Sequence, residues 1–485
     1  MARIIVVGAG MAGLAAAARM ASRGDDVVVC EASPVAGGAL RAWRHGDLGF
    51  DLGAHTLTLP AAYRDLFIKT GSRKKSAAAA LEDRVDLRPL DPVRRYVFPD
   101  GARLDLPNSS RGRVVAAFDD TLGPGAGAAW LRVVDHGGRA WDAIRPALVE
   151  SPGGGRELAR LLRTADGRRA LTPLRTLRTS AGKWFADADP RLYLLLDDYA
   201  RQAGADPRHA PGVVATRPYI EHAFGAWRIV GGMHTLADAL YQRVLDRGVE
   251  VRLNARVARI DFASGGVGGV VLEGGERLDG DAVIAAVDQA VLARLLGRST
   301  RRRSQKSSNS AAVTTVCLVI DEPPEMPHET VLLDERGPAV RVHVAAERPE
   351  AWTVHAPADQ SATADQSADA VVAVMAARGI DVRGKVRVRH VVGAADWEAA
   401  TGVPGGAAFG PTVAGLRSAL LRSPIEQATP GLFHAGASAR PGSGLSFAAL
   451  SGWQASELAK AWLRGRVAAA GPLRERAQPP SGEYD

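Results

Sequence analysis

Gly8-Ala9-Gly10-Met11-Ala12-Gly13 directly follows a short β-branched run, residues 3–7, and directly precedes an alanine-rich stretch. A second apolar run, Val27-Val28-Val29-Cys30, ends at Glu31, 18 residues beyond Gly13. The chemistry such a unit can do is to cradle a dinucleotide. Gly8 permits a tight turn, Gly10 lets backbone approach a pyrophosphate, and Gly13 lets helix and sheet pack closely. The positive end of the helix then meets the phosphates. Glu31 would accept hydrogen bonds from a ribose diol, and its charge disfavours a 2′-phosphate there. A glycine triplet alone is a weak signal, but here strand, turn, helix, strand and acid follow in the required order.

The elements that must hold this cradle are legible as hydrophobic pattern. Residues 3–7 and 27–30 read as buried parallel strands. Gly231 to Gly248 reads as a turn plus an amphipathic helix with Leu236, Leu240, Val244 and Leu245 on one face. Residues 249–253 and 257–260 alternate as strands, residues 270–278 suggest a hairpin, and Ala282–Ala286 is a further buried strand. The chain has 485 residues, enough for about three domain-sized units. Apolar residues make up 46% and charged residues 24%, so a large core is possible and disorder is excluded for the bulk of the chain. The net charge of +8 is mild for this length, and no nucleic-acid partner is expected.

Cys30 and Cys317 are the only cysteines and both lie in apolar runs. They read as buried core thiols and cannot form a disulfide framework or a cysteine zinc site; no metal site is expected. No stretch reaches the roughly 18 apolar residues of a spanning helix. Residues 299–310 read as a basic surface loop, and Ala358–Asp369, with Ala-Asp-Gln-Ser twice, as a linker. Arg168, Arg169, Arg175 and Arg178 form a basic run, either a solvated face or a membrane-surface contact. No second strand-glycine-helix unit is present, which disfavours a separate nicotinamide site.

Further segments follow the cradle: Glu31-Ala32 through Gly37-Gly38-Ala39-Leu40-Arg41, then Phe50-Asp51-Leu52-Gly53-Ala54-His55 and Leu59-Pro60. Later come Leu90-Asp91-Pro92 with Phe98-Pro99-Asp100-Gly101, Gly204-Ala205-Asp206-Pro207, and Gly231-Gly232-Met233. Near the end stand Gly431 to Ser438 and Pro441-Gly442-Ser443-Gly444, then a long Ala/Leu helix. In this order, over residues 3 to about 463, the chain resembles the phytoene desaturase branch of the flavin amine-oxidase superfamily.

The resemblance implies an α/β, Rossmann-like two-dinucleotide-binding flavoprotein fold with an inserted mixed α+β substrate domain. The flavin domain would comprise 1–85, 226–300 and 416–465, the substrate domain 86–225 and 301–415, and a flexible tail 466–485. The implied cofactor is noncovalent FAD. Its site would be drawn from Gly8, Gly10, Met11, Ala12, Gly13, Glu31, Ala32, Gly37, Gly38, Ala39, Leu40, Gly53, Ala54, His55, Val257, Gly436, Ala437, Gly444, Leu445 and Ser446. The closing helix would bring its positive end to the pyrimidine edge of the flavin ring.

The implied activity is desaturation of C–C to C=C by hydride transfer to flavin. The substrate would be a lipophilic isoprenoid or a secondary metabolite, with O2 or a quinone as electron acceptor. The rivals are an amine or porphyrinogen-type oxidase and a non-redox FAD-dependent isomerase. A cytoplasmic protein is expected, with peripheral membrane contact left open. Three departures from the family pattern fall in flavin-facing segments: Ala39 replaces an arginine, Gly53-Ala54-His55 replaces Gly-Pro-Thr, and Arg440 precedes Pro441-Gly442 in place of histidine. His55 and Arg440 are therefore the catalytic candidates, against plainer roles as a structural histidine and a loop arginine. His234, after the Gly-Gly-Met turn, is a further candidate for substrate contact, and Trp453 on the closing helix reads as core, with a shelf for the ring as the alternative.

Overall fold

The computed structural model describes residues 1–71, 80–151, 155–172, 175–298, 312–335, 340–358, 362–407, 409–410 and 422–470. The chain opens with β1 (Arg3–Val7), α1 (Met11–Ala21), β2 (Asp26–Cys30) and β3 (Leu48–Asp51). A hairpin of β4 (Arg94–Val97) and β5 (Arg103–Leu106) precedes a helical region containing α2 (Ala126–Arg145). Then come α3 (His234–Leu245), β6 (Glu250–Arg252) and β7 (Ala282–Ala285). Next are β8 (Val313–Ile320), β9 (Glu329–Leu332), β10 (Val340–Ala345), β11 (Arg348–Pro357), α4 (Ala364–Ala377) and β12 (Val386–Val392). The last are β13 (Leu432–His434) and α5 (Leu445–Ala470).

β1 is apolar on both sides because both faces of its sheet are covered. This five-stranded sheet runs β6-β2-β1-β7-β13, and every neighbouring pair is parallel. Ile4 and Val6 enter a core with α1, α3 and α5. Ile5 and Val7 pack on the other side against a three-stranded layer from residues 257–279. The alanines of α1 are a packing surface for α5: a Cβ on Gly452 would stand 2.2 Å from the Ala12 carbonyl oxygen and 3.0 Å from Ala15 Cβ. Cys30 and Cys317 are buried free thiols, and burial pushes them up to about 11 and about 12.

A second sheet has seven strands in the order β12-β8-β11-β10-β9-β4-β5. All its pairs are antiparallel except β9 with β4. One face carries Val316, Leu318, Val342, Trp352 and Val354, covered by Ala368, Val371 and Met375 of α4. The other face carries Cys317, Glu329, His343, Thr353 and His355, which are also buried. This sheet is therefore covered on both sides, although one of its faces is polar. Beside it lies a buried ion network. Glu329 joins Arg94 and Arg341, Arg94 also reaches Glu221, and Arg341 also reaches Asp198.

Three expectations are corrected. Leu245 is 39% exposed while Leu236, Leu240 and Val244 are fully buried. At about 100° per residue, position 245 lies opposite position 236 on the helix. The second half of the supposed linker Ala358–Asp369 begins α4. Thr363 Oγ1 accepts from the Gln366 N–H at 3.3 Å, and the Gln366 side chain accepts from the Thr363 N–H at 2.8 Å, forming a capping box. Finally, α5 continues helical to Ala470, past the expected start of a tail. The basic loop 299–310 and residues 359–361 and 471–485 lie outside the described residues. Among the described residues, no helix is long and apolar enough to cross a membrane.

Candidate active site

The cradle stands at the carboxyl edge of the parallel sheet, where open α/β sheets bind ligands. Gly8, at φ +100°, turns the chain out of β1; a Cβ there would meet the Ala286 carbonyl oxygen at 2.7 Å. Gly13 is held against the Gly8 carbonyl, 2.0 Å from its own ideal Cβ. Gly10 differs from both. Its φ of −72° suits any residue, and a Cβ would find only Gly38 Cα, at 3.8 Å. The protein leaves that space open, and α1 begins there with no side-chain cap on its first N–H groups. Glu31 turns inward, accepting from the Ala9 N–H at 2.6 Å and the Ser33 N–H at 2.8 Å. Gly37 is drawn under the turn by its N–H bond to the Ala9 carbonyl at 2.8 Å.

The remaining cofactor candidates fall into three places. Ala32 follows Glu31 beyond β2, and Ala39 and Leu40 continue the Gly37-Gly38 loop. Gly53 packs a missing Cβ 2.2 Å from the Ala39 carbonyl, and Ala54 touches the α1 core. Val257 is buried beside Cys30 and Ile5. At the C-terminal side, the Gly436 N–H donates to Ser451 Oγ at 3.0 Å, and its Cβ position is empty within 4 Å. Gly444, Leu445 and Ser446 open α5. Tyr63 donates to the Leu445 carbonyl at 2.9 Å, and Ser446 donates to the Thr58 carbonyl, tying this turn to the first segment of the chain.

The loop at 437–443 is ringed by arginines. Arg422 donates to the Ala437 carbonyl, Arg217 donates to the Ser443 carbonyl at 3.0 Å, and Arg440 keeps a buried Nε without a partner among the described residues. Burial pulls Arg422 down to about 10, and burial together with the neighbouring Arg422 pulls Arg217 down to about 10. None of the three has a carboxylate partner among the described residues. The donor set therefore suits an anion. Arg217 and Arg422, together with the open Gly10 face, the uncapped helix end and Glu31, fit a bound dinucleotide cofactor, and Arg440 Nε is left for another partner.

His55 is placed among histidines from distant strands. Its ring stacks on His343 at 3.8 Å between centroids and 4° between planes, with His355 at 5.3 Å and His328 at 6.5 Å. His355 Nε2 lies 3.0 Å from the Leu52 carbonyl, and His328 Nε2 lies 3.0 Å from the His55 carbonyl, so the 52–55 segment is pinned between two rings. Burial and then the neighbouring histidines hold His55 and His343 well below the usual imidazole range, and burial holds His355 down at about 4. All three rings are therefore neutral.

Sequence reasoning found the cradle and His55 but missed the partners of His55. His328, His343 and His355 carry no local motif; His343 and His355 are signalled only by the alternation of polar and apolar residues along β10 and β11, and His328, just ahead of β9, lacks even that. No hydrogen bond joins Arg440 to His55 among the described residues. His234 has a structural role. Asp51 accepts from the Met233 and His234 N–H groups at 2.6 and 2.8 Å and from His234 Nδ1 at 2.7 Å. A carboxylate there satisfies the free end of α3. Trp453 is half-buried on α5, and Arg178 of the basic run pairs with Asp197 at 3.2 Å.

This cradle, with a parallel sheet and a second sheet beside it, defines a dinucleotide-binding flavoprotein fold. Putrescine oxidase bound to putrescine has the same fold, with a TM-score of 0.63, 17% identity, and 95% and 99% of the two chains covered. A CLA-producing fatty acid isomerase from P. acnes also shares it, with a TM-score of 0.58, 14% identity, and coverage of 95% and 98%. The family model for flavin-containing amine oxidoreductases matches residues 11–459. A hydroxyneurosporene desaturase of Cereibacter sphaeroides is 30% identical over 96% of this chain and 98% of its own. An all-trans-zeta-carotene desaturase of Myxococcus xanthus is 30% identical over 64% of this chain and 56% of its own. The chain belongs to the flavin-containing amine oxidoreductase family, in its phytoene desaturase-like branch, and is an FAD-dependent oxidoreductase.

Proposed function

We propose that the protein desaturates a lipophilic isoprenoid that carries an oxygen function. Bound FAD supplies the chemistry, acceptance of a hydride as C–C becomes C=C. The chain's own residues bind and orient. The α1 N-terminus and the open face of Gly10 would hold the pyrophosphate, Glu31 would hold the ribose diol, and the loop from Gly436 to Ser446 would supply the remaining contacts. The whole-length likeness to a hydroxyneurosporene desaturase supports both the reaction and an oxygenated polyene as substrate. The observation that carries the oxygen function is the pair of buried, unpartnered nitrogens, Arg440 Nε and His55 Nε2. A pure hydrocarbon would leave both without a partner, at about 1–3 kcal/mol each.

The test is anaerobic reduction of the bound flavin by hydroxylated and unsubstituted carotenoid precursors. Faster reduction by the hydroxylated compounds is expected. With Arg440→Ala and His55→Ala, FAD should be kept and reduction slowed about tenfold to a thousandfold. Equal rates for both substrate classes, or unchanged rates in both variants, would remove the oxygen function from the proposal. Failure of every isoprenoid to reduce the flavin would remove the isoprenoid.

A further inference from the structure

We propose that His55, His343 and His355 form a binding site for one divalent transition-metal ion of the zinc class. One ring nitrogen from each lies within 4.8 Å of those of the other two, and all three residues are buried. His343 and His355 are diagonal neighbours on one face of the β10–β11 pair, where His343 opposes Thr353 and His355 opposes Arg341. His55 arrives from the segment after β3. Neutral imidazole nitrogens are what zinc, iron, nickel and copper ions take as ligands.

Two observations point to a cation at this spot rather than to a packed aromatic cluster. First, His55 Nε2 and His343 Nδ1 are buried with no hydrogen-bond partner among the described residues, and an orphaned buried nitrogen is costly. Second, the Leu52 carbonyl 3.0 Å from His355 Nε2 can only accept. Nε2 therefore carries the proton and Nδ1 presents its lone pair. A carbonyl that fixes the tautomer of a ligand histidine is the usual outer support of a metal site. Glu329, directly opposite His343 in the sheet, is itself paired with Arg94 and Arg341.

Zinc–nitrogen distances of about 2.0–2.1 Å place tetrahedral ligands about 3.4 Å apart, so the trio needs to contract by little more than 1 Å. The stacked His55 and His343 rings must tilt so that both planes contain the ion, and the terminal imidazole torsion is broad enough for this. Three protein ligands leave a fourth position open, the pattern of catalytic rather than structural sites. That position would take a water or an oxygen atom of the substrate. With the ion bound, His55 Nε2 is taken up by it, so the substrate oxygen would meet the ion and Arg440 Nε rather than His55; the inference refines the polar-substrate reading in this respect, and metal binding itself does not depend on that reading. Phe409, 38% exposed, lays its ring edge on His355 at 5.5 Å, so the trio lies a single side chain from solvent.

The test uses the flavin-loaded protein without substrate, stripped with a chelator and titrated with Co2+ or Zn2+ alone. The expected result is about one ion per chain by elemental analysis after gel filtration. In H343Q and H355Q the affinity should fall by about 100-fold or more, with flavin content unchanged. Less than about a tenth of an ion per wild-type chain, or equal binding by wild type and variants, overturns the proposal. If the variants do not fold, X-ray absorption on the loaded wild type decides. Three imidazoles at about 2.0–2.1 Å support the site, and a shell of oxygen alone overturns it. Because no turnover is measured, a negative result leaves the desaturase reading untouched.

Discussion

Replacing Gly10 by alanine separates cofactor space from protein packing. In this structure the new methyl group meets only Gly38 Cα, at 3.8 Å, and the backbone at φ −72° is ordinary for an L-residue. The flavin-free protein should therefore fold as before, or gain about 0.4–1 kcal/mol because its unfolded chain is less free. The flavin-loaded protein should suffer, since the methyl group occupies the space proposed for the pyrophosphate. Overfilling a close-packed contact costs about 1–3 kcal/mol, which is about a 5- to 150-fold rise in the FAD dissociation constant. Gly10→Val should abolish retention.

Gly8→Ala is the control. Its Cβ would lie 2.7 Å from the Ala286 carbonyl oxygen at φ +100°, so it should destabilise the protein with or without cofactor. FAD affinity is read by fluorescence quenching on titration, and apoprotein stability by urea denaturation. FAD affinity within about twofold of wild type in a well-folded Gly10→Ala protein would refute the placement of the pyrophosphate. Equal destabilisation of the Gly10→Ala and Gly8→Ala apoproteins would refute the packing argument.

Arg422→Met should leave flavin-free stability unchanged or higher while weakening FAD retention about tenfold or more, the range of a lost charge-assisted hydrogen bond; unchanged FAD affinity would assign Arg422 to the loop alone. Gly452→Leu should prevent α5 from seating on α1, whose Ala12 carbonyl lies 2.2 Å from the position of its Cβ, and yield insoluble protein; a soluble, flavin-loaded variant would contradict that packing. Burial lowers His434, whose Nε2 lies 2.9 Å from the Val287 carbonyl. The unfolded chain then binds more protons below about pH 6.5, so stability should be full above that value and fall as pH drops. His434→Gln should make this loss shallower by one proton's share in urea melts, the buried histidine trio keeping its own, and an identical pH slope would show that the proton goes elsewhere.

How much was legible follows from how local each signal is. Gly8, Gly10, Gly13 and Glu31 act within one strand-helix-strand unit, so spacing alone sufficed. The α4 start was also written locally, as Thr363 and Gln366 ahead of an apolar run, but the repeated Ala-Asp-Gln-Ser composition masked it. The histidine trio was not legible. His55 lies nearly three hundred positions before His343 and His355, and only the register of β10 against β11 brings the latter two together. Polar residues alternating with valine usually mean a strand with one wet face. Here both faces are covered, so the alternation marks a dry polar surface, which only tertiary structure reveals.

The order of the parallel sheet bears on how the protein is made. β13 and α5 are among the last elements in the chain, yet β13 completes the sheet begun by β1, and α5 covers the alanine face of α1. At about 5–20 residues per second, a ribosome needs on the order of 20–90 s to travel from β1 to β13. For all that time the side of the first helix that meets α5 is bare, although α3 can already pack on it, and the cofactor cradle lacks its closing loop. The nascent chain must be kept from aggregating until β13 and α5 emerge. Premature termination before β13 would leave the α5-facing side of α1 bare and β7 without its outer neighbour, a substrate for chaperones and proteases rather than a smaller enzyme.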